Sequence, residues 1–168
     1  NKIRQQTRNP LLAMNIGADG MKTGFTNEAG YGLVGSAMQN GMRLIVVVNG
    51  LKSGDERADA ARKLLNYGFN SFEQRLLFAE GQQIGDARMF GGEQRYVPLQ
   101  TVGAKEVRLM VPKNSSDRIL ARVVYHGPIR APVDKGKVIA SLKVWRGDNV
   151  ALEVPLQTMQ AVEAGPLH

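Results

Sequence analysis

Apolar and polar positions alternate through the first fifty residues, shift to a helical period over one segment, and then alternate again to the end. Met21 to Thr26 reads as extended, and Tyr31, Leu33 and Val34, running on to Ala37, predict a second short strand. Asn40-Gly41 is the strongest hairpin signal, because both residue types accept the positive φ that a two-residue turn demands. Met42, Leu44, Ile45, Val46, Val47 and Val48 form the return strand. Its near-continuous apolar character predicts cover on both faces. Gly17-Ala18-Asp19-Gly20 reads as a turn before the first strand, and Asn9-Pro10 as a loop.

Asp55 to Tyr67 is the clearest helix. Ala58, Ala61, Leu64 and Leu65 recur on one face, and Phe69 and Phe72 extend the apolar contact beyond Gly68. Ser53 stands at the N-cap position with Glu56 three residues on, the spacing of a capping box. Asp55 and Glu56 near the start, with Arg62 and Lys63 further on, suit the helix dipole. From about Gly81 the helical period disappears. Strand-like runs follow at Arg95 to Leu99, Glu106 to Val111, Ile119 to Tyr125, Val138 to Trp145 and Val150 to Val154, separated by Gly, Pro, Asn and Asp turns. The expected fold class is α+β, an antiparallel sheet with a packed helix over residues 1–78, followed by a small all-β, sandwich-like domain over 79–168. Glu163 to His168 reads as a frayed end.

Composition narrows the function classes without choosing among them. Hydrophobic residues make up 43% and charged residues 22%, ordinary for a folded chain. The absence of cysteine excludes a disulfide scaffold and thiolate metal sites. A net charge of +7 suits attraction to a polyanion such as nucleic acid, anionic lipid or an acidic wall polymer. The basic residues are dispersed, however, and no aromatic residues interleave with them, which argues against nucleic acid. No apolar run approaches the roughly 20 residues of a membrane-spanning helix. A chain opening at Asn1 without an initiator Met is expected to be a trimmed or partial gene product. His126 and His168 are too few to build a metal site, and no cofactor is expected. Trp145 and Tyr125 read as packing residues.

Candidate chemistry concentrates at Lys22-Thr23-Gly24. In an extended strand Lys22 and Gly24 face one side and Thr23 the other. An ammonium at Lys22 favours the deprotonated form of a nearby hydroxyl and shuttles its proton. Gly24 lets a substrate lie against the strand. Phe25 offers a backbone N–H for a developing oxyanion. A bare tripeptide of this kind also occurs as an ordinary turn, and the nucleophile motif Ser-x-x-Lys that accompanies it in penicillin-recognising enzymes is missing. Among Ser36, Ser53, Ser71, Ser115, Ser116 and Ser141, none has Lys three residues later.

The surrounding residues decide between these readings. Asp19 through Tyr31 resembles the corresponding segment of low-molecular-mass penicillin-binding proteins, the serine-type D-alanyl-D-alanine carboxypeptidases. The likeness continues through Leu33 to Ala37, Met42 to Ile45 and Lys63 to Phe69, and into the β-rich part at Ala131-Pro132-Val133, Gly136 and Val138. The resemblance implies the C-terminal part of a β-lactamase/transpeptidase-like catalytic domain, followed by that subgroup's second domain. It assigns Lys22 to contact with the substrate carboxylate and to active-site protonation, Thr23 to holding that carboxylate, and Phe25 N–H to the oxyanion hole, where many relatives carry His. Arg57 falls where relatives place an arginine beside the site; it equally reads as a solvated residue of the first helical turn. The implied partners are peptidoglycan stem peptides, β-lactams as covalent inhibitors, and the N-terminal part of the same enzyme, which supplies the nucleophile. The resemblance further implies a periplasmic location with peripheral inner-membrane contact through a C-terminal amphipathic helix, although nothing after Gln157 reads as that helix. A β-lactamase or endopeptidase of the same superfamily, and a non-catalytic wall-binding module, remain the alternatives.

Overall fold

The computed structural model describes residues 17–166, which form eleven strands, one α-helix and a short 3₁₀ turn. The loop expected at Asn9-Pro10 and the last two residues of the frayed end lie outside the described residues. The chain divides into two compact units, with the divisions between Glu73 and Gln74 and around Val111–Lys113, which belongs with the first unit.

In the first unit, β1 (Ala18–Thr26), β2 (Gly30–Gln39) and β3 (Met42–Leu51) make a meander in the order β1-β2-β3, with both pairs antiparallel. Asn40 and Gly41 turn β2 into β3 with φ of 49° and 77°, as the sequence predicts. The turn expected at Gly17 to Gly20 is instead the start of β1. Gly17 C=O accepts the Met38 N–H at 2.9 Å, Ala18 pairs with Ala37, and an irregularity between Ala18 and Gly20 absorbs the extra residue. Sheet pairing has overridden local turn propensity there.

Helix α1 (Gly54–Ser71) packs on β2 and β3. Ala61, Leu65 and Phe69 close over Leu33, Ala37, Met42, Val46 and Val48 to form this unit's core. Gly68 lets the helix come close to the sheet, since a Cβ there would lie 2.5 Å from a Leu44 methyl. Ser53 caps the helix, its Oγ accepting the Glu56 N–H at 3.1 Å. Glu56 Oε2 takes the Lys52 N–H at 2.8 Å rather than that of the cap residue itself. Ser53→Ala should remove about 1 kcal/mol from the helix start. Amide exchange in the first turn of α1 should then quicken about fivefold, at roughly 1.4 kcal/mol per factor of ten, and an unchanged exchange rate would show the cap to be redundant.

The expectation that β3 is covered on both faces is not met among the described residues. Met42, Val46 and Val48 are buried, whereas Ile45 is 70% and Val47 57% exposed, beside exposed Val34 and Met38 of β2. Helix α1 covers one face of the sheet, and no described element of this unit covers the other.

The second unit is β-rich and sandwich-like. It holds a six-stranded sheet in the order β8-β10-β11-β6-β5-β9, formed by β5 (Asp86–Phe90), β6 (Tyr96–Thr101), β8 (Ile119–Val124), β9 (Ile129–Arg130), β10 (Val138–Arg146) and β11 (Asn149–Thr158). β5 and β9 run parallel, and the other pairs run antiparallel. A two-stranded ribbon joins β4 (Phe72–Phe78) to β7 (Val107–Pro112). Burial alternates along the strands: Ala87 and Met89, Val97 and Leu99, Val107 and Leu109, Leu142 and Val144 face inward. Two buried threonines are satisfied. Thr101 Oγ1 donates to Lys105 C=O at 2.6 Å, and Thr158 Oγ1 donates to Asp134 C=O at 2.6 Å while accepting the Lys137 N–H at 3.0 Å. The 3₁₀ turn Val102–Ala104 links β6 to β7. No helix of the described residues is long and apolar enough to cross a membrane.

Candidate active site

The Lys-Thr-Gly segment lies on β1, an edge strand whose far side pairs with nothing among the described residues. A cavity of about 380 Å³ opens there, lined by Lys22, Thr23, Gly24, Phe25 and Thr26 of β1 together with Gly32, Val34 and Asn49. Four of the residues singled out from the sequence thus border one space. The side-chain directions follow the strand period. Lys22 pairs with Val34, and Gly24 with Gly32, on the face away from α1, while Thr23 pairs with Leu33 on the face that α1 covers.

Lys22 is exposed, and its only side-chain hydrogen bond among the described residues runs from Nζ to the neighbouring Thr23 C=O at 3.3 Å. No described carboxylate pairs with it, so its charge is available to a ligand. Space at Gly24 is equally available, because a Cβ built there meets no atom within 4 Å.

Arg57 reaches this strand from the first turn of α1. Its Nη1 lies 3.3 Å from Gly24 C=O and 3.5 Å from Gly32 C=O, and its guanidinium stands 5.4 Å from the Tyr31 ring centre. Two carbonyls from opposed residues within reach of one nitrogen lie between their strands, so Gly24 and Gly32 spend their backbone groups on each other. Thr23 and Phe25, of the other parity, therefore turn N–H and C=O toward the open edge. Arg57 does not line the cavity; it braces the strand that does. Among the described residues its buried Nε has no partner, and this half-satisfied guanidinium sits behind Gly24.

Phe25 is 53% exposed and packs against Tyr31 with ring centres 4.4 Å apart. At the start of the strand, Arg43 Nη1 donates to Asp19 Oδ2 and to Ser36 Oγ, both at 2.6 Å. Hydrogen bonding from Arg43 first, and from Ser36 second, holds the Asp19 carboxyl below its ordinary pKa. Exposed as it is, this cluster fixes register more than it adds stability.

Sequence reading missed Gly32, Asn49 and Tyr31. Gly32 is legible once the register is known, because a Cβ at that position would stand 2.7 Å from Asn49 Oδ1. Four of the six serines carry side-chain hydrogen bonds. Ser36 accepts from Arg43, Ser53 from Glu56 N–H, Ser115 from Asp117 N–H, and Ser141 donates to Glu153.

Comparison with known proteins agrees with the resemblance read from the motifs. Residues 1–53 match the family described as D-alanyl-D-alanine carboxypeptidase, and residues 72–164 match the C-terminal domain of penicillin-binding protein 5. The D-alanyl-D-alanine carboxypeptidase DacD of Escherichia coli is 33% identical over 99% of this chain and 43% of its own length. DacA of Haemophilus influenzae is 37% identical over 98% of this chain and 42% of its own. The crystal structure of penicillin-binding protein 5 from Haemophilus influenzae superposes with a TM-score of 0.80 at 35% identity, covering 97% of this chain and 48% of that one. The chain thus spans less than half the length of these relatives. It belongs to the penicillin-binding protein 5 family of D-alanyl-D-alanine carboxypeptidases, whose C-terminal domain it carries over residues 72–164.

Proposed function

We propose that the first unit is one wall of the active site of a serine D-alanyl-D-alanine carboxypeptidase, the C-terminal part of a transpeptidase-like catalytic domain. The observation that carries this reading is a strand with one side unpaired among the described residues, holding an exposed Lys22 and an unobstructed Gly24 over an open cavity. The substrate is the D-Ala-D-Ala end of a peptidoglycan stem peptide, lying along β1. A serine Oγ from polypeptide outside these residues attacks the carbonyl carbon of the penultimate D-alanine and gives its proton to a lysine base. The oxyanion forms against the outward N–H of Phe25, a donor that costs no reorganisation because the strand already fixes it. The C–N bond then breaks, the departing amine takes the proton, and D-alanine leaves; water hydrolyses the ester by the reverse sequence. Lys22 attracts the substrate's terminal carboxylate and steadies protonation in the cleft, and the Thr23 hydroxyl, on the other face of the strand, reaches the same carboxylate around the open edge. Arg57 holds the strand in place from behind and adds positive potential.

The same reading gives the exposed apolar face of Val34, Ile45 and Val47 its cover, the remainder of the catalytic domain. It places the enzyme in the periplasm, at the inner membrane, with the second unit setting the catalytic domain's height or its contacts with other wall enzymes. β-Lactams acylate the same serine.

Labelling the intact protein with a fluorescent penicillin tests the proposal. Covalent label on a serine outside these 168 residues, with D-alanine released from a peptide ending in D-Ala-D-Ala, is the expected result. An intact protein that takes no label and releases no D-alanine would leave a non-catalytic wall-binding module. Rapid release of the label as hydrolysed penicillin would point to a β-lactamase.

A further inference from the structure

Trp145 is the sole tryptophan of the chain; it is half-buried and stands on the outer face of its sheet. Its neighbours Leu142 and Val144 point inward at 1% and 0% exposure, so Lys143 and Trp145 occupy the outer face of the sheet. Register places Leu120 opposite Trp145, and Arg122 opposite Lys143, on that same face. Leu120, Arg122 and Trp145 join Gly147 and Asp148 of the β10–β11 turn around an open pocket of about 290 Å³. That volume lies near the low end of small-ligand sites, about 300–1,000 Å³.

The pocket's frame is fixed and its polar groups are unspent. Gly147 N–H donates to Arg118 C=O at 2.8 Å, and Arg146 pairs with Asp117 at 3.3 Å, tying the turn to the adjoining loop. Among the described residues, neither the Arg122 nor the Asp148 side chain has a hydrogen-bond or ion-pair partner. Lys143 Nζ stands over the indole ring, 5.9 Å from its centre, in a cation–π contact.

We propose that this pocket binds a glycan strand. A pyranose ring has an apolar C–H face that stacks on an indole and a rim of hydroxyls that both donate and accept. A carboxylate acceptor at Asp148 and a guanidinium donor at Arg122 on the same pocket answer both halves of that rim. A nucleic acid fits less well, because Asp148 and nearby Glu153, opposite Lys143 in register, set negative charge beside a solitary aromatic platform. A flat aliphatic ligand would leave both charged side chains without work. The glycan is assigned as a chain of N-acetylated amino sugars; this last step rests on the peptidoglycan reading above, whereas the pocket itself does not.

Because no other tryptophan is present, emission from the 168-residue chain reports this pocket alone. Titration with a tetramer of N-acetylglucosamine should give a saturable shift in Trp145 emission, with half-saturation in the range of about 0.1–5 mM for a shallow single-platform site. Arg122→Ala and Asp148→Ala should each weaken binding about tenfold while keeping the fluorophore. Trp145→Phe, followed by calorimetry, should weaken it without abolishing it. No saturable change in the parent chain up to about 20 mM, or unchanged affinity in both charge variants, overturns the site. Equal binding of a glucose tetramer overturns the amino-sugar assignment. Penicillin labelling is indifferent to all of these outcomes, so failure here and failure of the carboxypeptidase reading remain distinguishable.

Discussion

Replacing Lys22 with alanine in the intact enzyme should lower kcat/KM for D-alanine release by about 10²–10³-fold, the scale seen when a preorganised polar group facing developing charge is removed. The fold should be indifferent to the change. Lys22 is exposed, and among the described residues its side chain makes one hydrogen bond, to the Thr23 carbonyl at 3.3 Å, and no ion pair, so little of the fold depends on that side chain. Stability should stay within about 0.5 kcal/mol of the parent, as for other surface substitutions. Lys22→Arg sharpens the test. A guanidinium retains the charge that draws in the peptide carboxylate, but it is planar, bulkier and does not give up its proton. That variant should recover KM more than kcat, separating attraction of the substrate from management of protons. A loss of less than about fivefold in kcat/KM for Lys22→Ala would show that this ammonium takes no part in the chemistry.

The candidate site is legible in the sequence because its residues are local. Lys22, Thr23, Gly24 and Phe25 are consecutive, and a strand period of two settles which of them share a face. Arg57 was legible as a position but not as a contact. Only the packing of α1 on the sheet reveals that it grips the backbone behind Gly24 instead of lining the cavity. Gly32 and Asn49 stayed hidden for a related reason. Their proximity to β1 comes from the β1–β2–β3 register, which no single segment encodes.

The fold shows the same division between local and distant causes. The Asn40-Gly41 hairpin and the Ser53 cap announce themselves within a few residues. β4, β5 and β9 do not. β4 follows α1 without a break and alternates poorly, β5 is five residues with two inward positions, and β9 is a two-residue pairing. Short strands of this kind exist because neighbours supply their partners, so propensity alone is a weak guide to them. The unbroken apolar run in β3 predicts cover on both faces, and the described structure supplies one. Ile45 and Val47, exposed on β3 with β2 between them and the Lys-Thr-Gly strand, belong to the apolar surface that α1 leaves open.

Leu65→Ala should be the most damaging single substitution in the first unit. Leu65 is 1% exposed and sits between Ala61 and Phe69 on the helix face that covers Leu33, Val46 and Val48. Truncation removes three carbons from a site whose neighbours are held by sheet pairing on one side and by helical hydrogen bonds on the other, so the void collapses only in part. Such substitutions cost about 2–5 kcal/mol. At roughly 1.4 kcal/mol per factor of ten, amide protection across α1 and β3 should fall about 30- to 4,000-fold. Exchange resolved by peptide is the suitable measurement, since a chain of two compact units need not unfold in one step. Strands β10 and β11 of the second unit serve as the internal reference. The consequence for the site follows from Arg57, which leaves the same helix to hold the Gly24 and Gly32 carbonyls. Loosening α1 releases that brace, so penicillin acylation of the intact enzyme should slow even though Leu65 touches nothing in the cavity. If protection of α1 falls while acylation keeps its parent rate, the brace is dispensable and the strand holds its catalytic shape without the helix.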